Sequence, residues 1–220
     1  MPLRFLVFSL WLTVTAACAQ DAAKVSPVYK VEIDNTFVRV LRAKYAPHEA
    51  IPMHAHPAFV VVLLTDEHLK ITGDDSKVRT VDGKAGEVGY HEASKHAEEN
   101  LSDKPFEAFV IELKQGPVKT PPVELDPVKL DPEHHDVVLE NDRVRIIRVI
   151  LPPHTKVPLH EHPHYAVVYI TELHLTKKLA DGRLVDNPRK PGEIVWNEAS
   201  KHQSEQMGDK TAIEVLVEFK

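Results

Sequence analysis

"IPMHAHP" (residues 51–57) and "VPLHEHP" (157–163) share one arrangement: a proline, one residue, a His-x-His pair and a closing proline. Their first histidines, His54 and His160, stand 106 residues apart. The same step carries Asn35 to Asn141, "VRVLR" (38–42) to "VRIIR" (144–148) and Pro47-His48 to Pro153-His154. "EASKH" (92–96) recurs letter for letter at 198–202, and the closing "VIELK" (110–114) falls on "LVEFK" (216–220). A match sustained at one offset without net insertion is an internal duplication. One unit is expected over residues 28–114 and its copy over 134–220. The proline-rich stretch 115–133 reads as an extended connector, because proline removes a backbone donor and fixes φ.

Each unit has the pattern of β-structure. "FVRVLRAKY" and "RVRIIRVIL" alternate large apolar with charged residues, as half-buried strands do. "FVVVLL" and "YAVVYI" are short apolar runs suited to a sandwich core, and "TGDD", "ADGR" and "NPRK" supply turns. No long stretch has helical periodicity. An all-β chain of two tandem antiparallel barrels is the expected architecture.

Composition narrows the function. The net charge is −6, with Lys and Arg spread among Asp and Glu, so nothing forms an electrostatic footprint for nucleic acid. "MPLRFLVFSLWLTVTAACAQ" has a basic residue, an apolar run too short to span a bilayer and an A-x-A ending at Ala19. That is the layout of a cleaved signal peptide, residues 1–19, and implies export to a periplasm or the outside, without a stable membrane span. Lipid attachment at Cys18 is disfavoured by Thr15 three residues before it. Cys18 is the chain's one cysteine, so cleavage leaves no thiol chemistry and no disulfide. No serine sits in a G-x-S-x-G elbow, and "GKAGE" lacks the spacing of a phosphate-binding loop.

Histidine, by contrast, is abundant at 14 residues. Alternate residues of a strand share a face, so His54 and His56 point the same way, as do His160 and His162. Paired imidazoles on an inward face are costly unless their ring nitrogens are satisfied, and a transition metal satisfies them. His96 and His202, each closing an "EASKH", are the matched candidates for a third ligand.

These residues resemble the cupin superfamily. Its first motif runs Gly, five residues, His-x-His, three or four residues, Glu, six residues, Gly; its second is a Pro-Gly turn leading to a late His and then Asn. "PHEAIPMHAHPAFVVVLLTDEHLKIT" with "GKAGEVGYHEASKHAEEN" is similar to that pair, and "PHTKVPLHEHPHYAVVYITELHLT" with "RKPGEIVWNEASKHQSEQ" is its repeat. The resemblance covers nearly all of the chain after residue 19 and implies a bicupin, two jelly-roll barrels. There are departures. Val60 and Ala166 stand where the family has its glutamate, and His48, His154, Glu67 and Leu173 replace the motif's glycines. What the resemblance leaves is a three-His set in each half, His54, His56 and His96 or His160, His162 and His202, without a glutamate ligand.

Such a set implies a divalent transition metal, iron first, with Zn, Mn, Ni and Cu as alternatives. Three neutral ligands leave the ion its full charge and favour a small, chelating, anionic substrate, as in the dioxygenase cupins. A metal-dependent isomerase or lyase of small keto or hydroxy acids, and a non-catalytic ligand-binding or structural bicupin, are the other readings. Glu92 and Glu198, four residues before the third histidines, are the candidate catalytic groups, orienting a ligand ring or acting as base. His48 and His154 read as surface-turn residues, His134 and His135 as part of the connector, and Tyr90 and Trp196 as wall or core. Cupins commonly pair, so a homodimer is the expected partner.

Overall fold

The computed structural model describes residues 20–114 and 122–220; the signal-peptide reading and Cys18 lie outside the described residues, as does the start of the connector. Among them are eighteen strands and two one-turn helices. The first half runs α1 (Ala22–Val25), β1 (Tyr29–Asp34), β2 (Val38–Tyr45), β3 (Ala50–His56), β4 (Phe59–Leu63), β5 (Glu67–Gly73), β6 (Val78–Gly83), β7 (Val88–His91), β8 (Ser94–Asn100) and β9 (Phe106–Leu113). The second runs α2 (Pro127–Leu130), β10 (His135–Glu140), β11 (Val144–Leu151), β12 (Lys156–His162), β13 (Tyr165–Tyr169), β14 (Leu173–Leu179), β15 (Leu184–Arg189), β16 (Ile194–Asn197), β17 (Ser200–Gln206) and β18 (Ala212–Phe219). Every strand of the second set begins and ends 106 residues after its counterpart.

Each half folds as two antiparallel sheets. The five-stranded sheet of the first half has the order β1-β2-β9-β4-β7 and its four-stranded partner β3-β8-β5-β6; the second half repeats both. The jelly-roll barrels expected from the alternating pattern are therefore present, in tandem.

The apolar run in β4 has a reason that alternation alone does not supply. Phe59 and Leu63 pack into the first barrel, whereas Val60 and Val62 belong to a core shared by both barrels. That shared core also takes Val38, Val40, Phe109 and Ile111 from one side and Val144, Ile146, Ala166 and Val217 from the other. The five-stranded sheets thus bury both faces, one inside the barrel and one against the partner barrel, and their strands read as continuous hydrophobic runs. Across the same interface Phe37 stacks on Trp196, with ring centroids 5.2 Å apart, and lies 4.6 Å from His164.

The helices show that each copy's register begins upstream of its first strand. Asp21 caps α1 through Ala23 N–H, and Asp126 caps α2 through Val128 N–H, in the same way. Segments just before these caps lie along the His-x-His strands: Ala55 N–H donates to Gln20 O, and Glu161 N–H to Leu125 O. Within the expected connector, then, residues 124–130 are tied to β12 and ordered by it.

Candidate metal centres

The prolines of the opening motif are explained by the backbone of β3. Its pairing with β8 shifts register between Ile51 and His54, a bulge that holds Pro52, where the missing N–H leaves no gap in the ladder. The bulge turns the Pro52 carbonyl to the ring beside it, and His54 Nδ1–H donates to it at 2.8 Å. In β12 the same shift lies between Val157 and His160, and His160 Nδ1–H donates to Pro158 O at 2.7 Å. A carbonyl only accepts, so each of these rings carries its proton on Nδ1 and turns Nε2 inward, that of His54 lying 3.0 Å from the Tyr29 hydroxyl.

Register supplies the third member. His54 pairs directly with His96 across β3 and β8, and His160 with His202 across β12 and β17. In the first barrel the ring centroids of His54 lie 4.9 Å from His56 and 4.7 Å from His96. The second barrel repeats this at 4.8 and 4.5 Å. In each trio one nitrogen per ring lies within 4.8 Å of the others, and all six histidines are buried. The expected sextet is brought together, three to a barrel.

The middle histidine of each trio is held by a carboxylate. His56 Nδ1 pairs with Glu112 at 2.8 Å, and Glu112 accepts from Arg39, which also holds Asp21. His162 Nδ1 pairs with Glu218 at 2.8 Å, backed by Arg145 and Asp126. Such outer partners fix ring orientation and raise ligand basicity. Glu92 and Glu198, expected in that role, are elsewhere. Both are exposed, Glu92 paired with Tyr90 and Glu198 accepting from Trp196 Nε1 and lying 2.7 Å from His164. The loop before β8 and β17 turns them outward, and the groups in contact with the imidazoles are Glu98, Glu112 and Glu218.

Glu98 adds a carboxylate beside the three-His set without joining it. Val60 and Ala166 face the inter-barrel core; the barrel-facing neighbours on the same strands are Val61 and Val167, so neither motif spacing delivers a glutamate. In the first barrel, however, Glu98 enters from β8, two residues beyond His96 and on the same face. Its Oε1 lies 3.4 Å from His96 Nε2 and its Oε2 4.0 Å from His54 Nε2. Tyr29 donates to Oε2 at 2.9 Å, and Tyr45 donates to the same oxygen. Burial pushes the Glu98 carboxyl up, but His96, Tyr45 and His54 outweigh it and hold it at about 2. The first barrel therefore offers three imidazoles and an ionised carboxylate.

The second barrel differs beside its trio. Glu98 becomes Ser204, Tyr29 becomes His135 and Tyr45 becomes Leu151. His135 was expected in the connector; it opens β10, is buried, and lies 6.0 Å from His160. Burial, with His135 and Lys177 adding to it, lowers His160 to about 4; burial and then Lys177 take His202 to about 2. These rings are neutral at pH 7.

The barrels also differ in open space. A cavity of about 200 Å³ adjoins the first trio at His96, walled by Phe59, Val61, Ile71, Arg79, His91 and Glu67 among others. The cavity at the second trio is about 20 Å³, close to a single water. The sequence signal for Glu98, Lys177 and His135 was available: each is a barrel-facing position where the two copies disagree in charge or polarity.

No family model matches the chain, and no curated protein sequence matches it. Solved structures do. AerE from Microcystis aeruginosa superposes on 88% of this chain and 97% of its own, with TM-score 0.62 and 12% identity. Oxalate decarboxylase from Bacillus subtilis matches 83% of this chain and 68% of its own, with TM-score 0.57 and 14% identity. A cupin domain from Bordetella pertussis Tohama I matches 44% of this chain over 98% of its own length, with 26% identity and TM-score 0.38. At the identities of the first two the likeness is one of fold. Two jelly-roll barrels in tandem, each with an inward His-x-His strand and a late histidine opposite it, give this chain the fold of a bicupin.

Proposed function

We propose that the first barrel is a divalent-metal centre of an oxidoreductase that acts on a small chelating substrate. The observation that carries this reading is the convergence of His54, His56 and His96, the first two with their Nδ1 atoms anchored, beside a cavity that His96 lines. The donor set of three imidazoles fits a divalent transition ion, with the Glu98 carboxylate beside His96 at its edge. The similar fold of Bacillus subtilis oxalate decarboxylase, a protein with Mn(II) centres, adds support for a divalent ion. When bound, such an ion would supply Lewis acidity and, as Fe(II), activation of O₂.

The chain's own residues do the rest. Phe59, Val61, Ile71 and Val81 exclude water from the cavity and receive an apolar body. Arg79 is a cation on that wall, among Glu67, Glu87 and Glu98, so an anionic substrate is received at the metal and at Arg79 and resisted elsewhere. Glu98, accepting from two tyrosine hydroxyls, stays ionised beside His96 and presents a fixed negative charge at the edge of the site. The chain is exported in this reading, and its lack of thiols after cleavage suits an oxidising compartment.

Fe(II)-loaded protein, assayed for oxygen uptake against a panel of small keto acids, hydroxy acids and diketones, tests the reading. Uptake that needs both Fe(II) and His54 is expected. Uptake unchanged in His54→Ala, or substrate isomerised without loss of O₂, would overturn it.

A further inference from the structure

The two histidine trios are nearly superposable in geometry, yet the residues pressed against them differ in charge. On β8 and β5 of the first barrel, Glu98 is the direct cross-strand partner of Ile71. At the same place in the second barrel, Ser204 of β17 is the partner of Lys177 of β14. Direct partners project from the same face of a sheet. His96 and Glu98, two apart, share that face, as do His202 and Ser204. Lys177 accordingly lines the small cavity that holds His160, His162 and His202. An anion beside the first trio has been exchanged for a cation beside the second.

A second exchange accompanies it. Ala108 of the first barrel is Glu214 in the second, and Glu214 lines the same small cavity. Nothing in the first barrel needs an acid there, because Ile71 carries no charge. In the second, Glu214 lines the cavity together with Lys177; burial lowers the proton affinity of Lys177 and raises that of Glu214, and each opposes that shift in the other. The two changes occur together: a lysine amine in a cavity that would otherwise take a cation, and a carboxyl on the neighbouring sheet.

We propose that Lys177 makes the second three-His cluster a much weaker divalent-cation site than the first, so that the chain holds one metal tightly and keeps its second barrel as a closed structural copy. The inference rests on the metal-centre reading of the first barrel and goes beyond it in assigning the two clusters different occupants. It also fits the cavity volumes, since Glu214 stands where the first barrel has the smaller Ala108 and Lys177 is longer than Ile71.

The test is a Co(II) titration of the metal-stripped full chain, followed by visible absorption, with elemental analysis after gel filtration. Wild type is expected to retain one Co(II), lost in His54→Ala and kept in His160→Ala. Lys177→Ile, the residue of the first copy, is expected to tighten the second site at least tenfold and bring retention towards two, whereas Lys177→Arg keeps it at one. Ile71→Lys should weaken the first site to match. Circular dichroism of each variant separates lost folding from lost binding, and Lys177→Met is a second neutral replacement if Lys177→Ile misfolds. Two equal tight sites in wild type, or a second site indifferent to loss of the ammonium, would overturn the proposal while leaving the metal reading intact. No Co(II) bound at either cluster would overturn both.

Discussion

Arg42 of the first barrel donates to the carbonyl of Gly192 in the second at 2.7 Å, and its repeat, Arg148, donates to the carbonyl of Gly86 in the first at the same distance. The contacts are reciprocal, as in an isologous two-fold dimer, but here both partners belong to one chain. Both glycines sit in turns at positive φ, 76° and 86°. Arg42 also lies over the ring of Phe109, which belongs to the shared core. A hydrogen bond from a charged donor contributes roughly 1.5–3 kcal/mol. Arg42→Ala is therefore expected to lower the thermal midpoint by several degrees, and Arg42→Ala with Arg148→Ala by about twice that, the two contacts being separate. Calorimetry checks this; a double variant that melts with wild type would remove these arginines from the interface account.

Glu112 is expected to matter to metal affinity without being a ligand. It fixes His56 through Nδ1 and is itself held by Arg39. Glu112→Gln keeps the shape, loses the charge and can present an amide N–H to the ring, favouring the wrong tautomer. Loss of such an outer partner costs roughly 10–100-fold in metal affinity. Competition with a chelator of known strength measures it, and an affinity within twofold of wild type would contradict the role.

What the residues revealed and what they hid divide along a physical line. The repeat, the barrels and the six histidines were legible because strand alternation and a constant offset are local properties of the sequence. Which of Val60 and Val61 faces the barrel was not legible, because β4 is apolar on both faces and alternation cannot say which face is inward. Glu98 was passed over because its contact with His96 depends on a shared strand face, which family spacing does not describe. His135 was assigned to the connector because the prolines before it resemble a linker, whereas pairing with β11 makes it the first residue of a strand.

His48 and His154 occupy the first glycine position of the cupin motif, and both adopt the left-handed conformation a glycine would, with φ of 56° and 61°. Each is exposed and faces an acid, Asp103 or Asp209. A side chain in this region costs on the order of 1 kcal/mol, more than an exposed pair returns. His48→Gly is expected to stabilise the chain by a few tenths to about 1 kcal/mol, and His48→Ala to destabilise it. Urea denaturation of the two variants decides, since a pairing role for His48 would make both equally destabilising.

Glu67 gives the metal-free protein a pH signature. Burial, then the charges of Glu98 and Glu87, raise its carboxyl from 4.5 to about 7, with Arg79 opposing and Asp82 adding. The folded state therefore binds a proton between about pH 4.5 and pH 7 that the unfolded chain does not. The stability contribution is complete below about pH 4.5 and is lost as pH rises through 7. The shift corresponds to at most about 3 kcal/mol. Glu67→Gln removes the titration, so the variant should gain on wild type progressively from pH 5 to pH 8. Parallel denaturation profiles across that range would rule the effect out.

Val60 and Val61 allow the inward face of β4 to be tested directly. Val60 is wholly buried among Val144, Ile146 and Val217 of the shared core, whereas Val61 borders the cavity beside the first trio. Val60→Glu places an unpaired carboxylate between two apolar sheets, where burial of a charge without a partner costs several kcal/mol. That variant should be insoluble or lose cooperative unfolding. Val61→Glu delivers the same group to the cavity, where it is hydrated or meets a bound cation, and should fold and hold Co(II) at least as tightly as wild type. If Val60→Glu folded and strengthened metal binding while Val61→Glu did not, the assignment of the two faces, and with it the shared core, would be reversed.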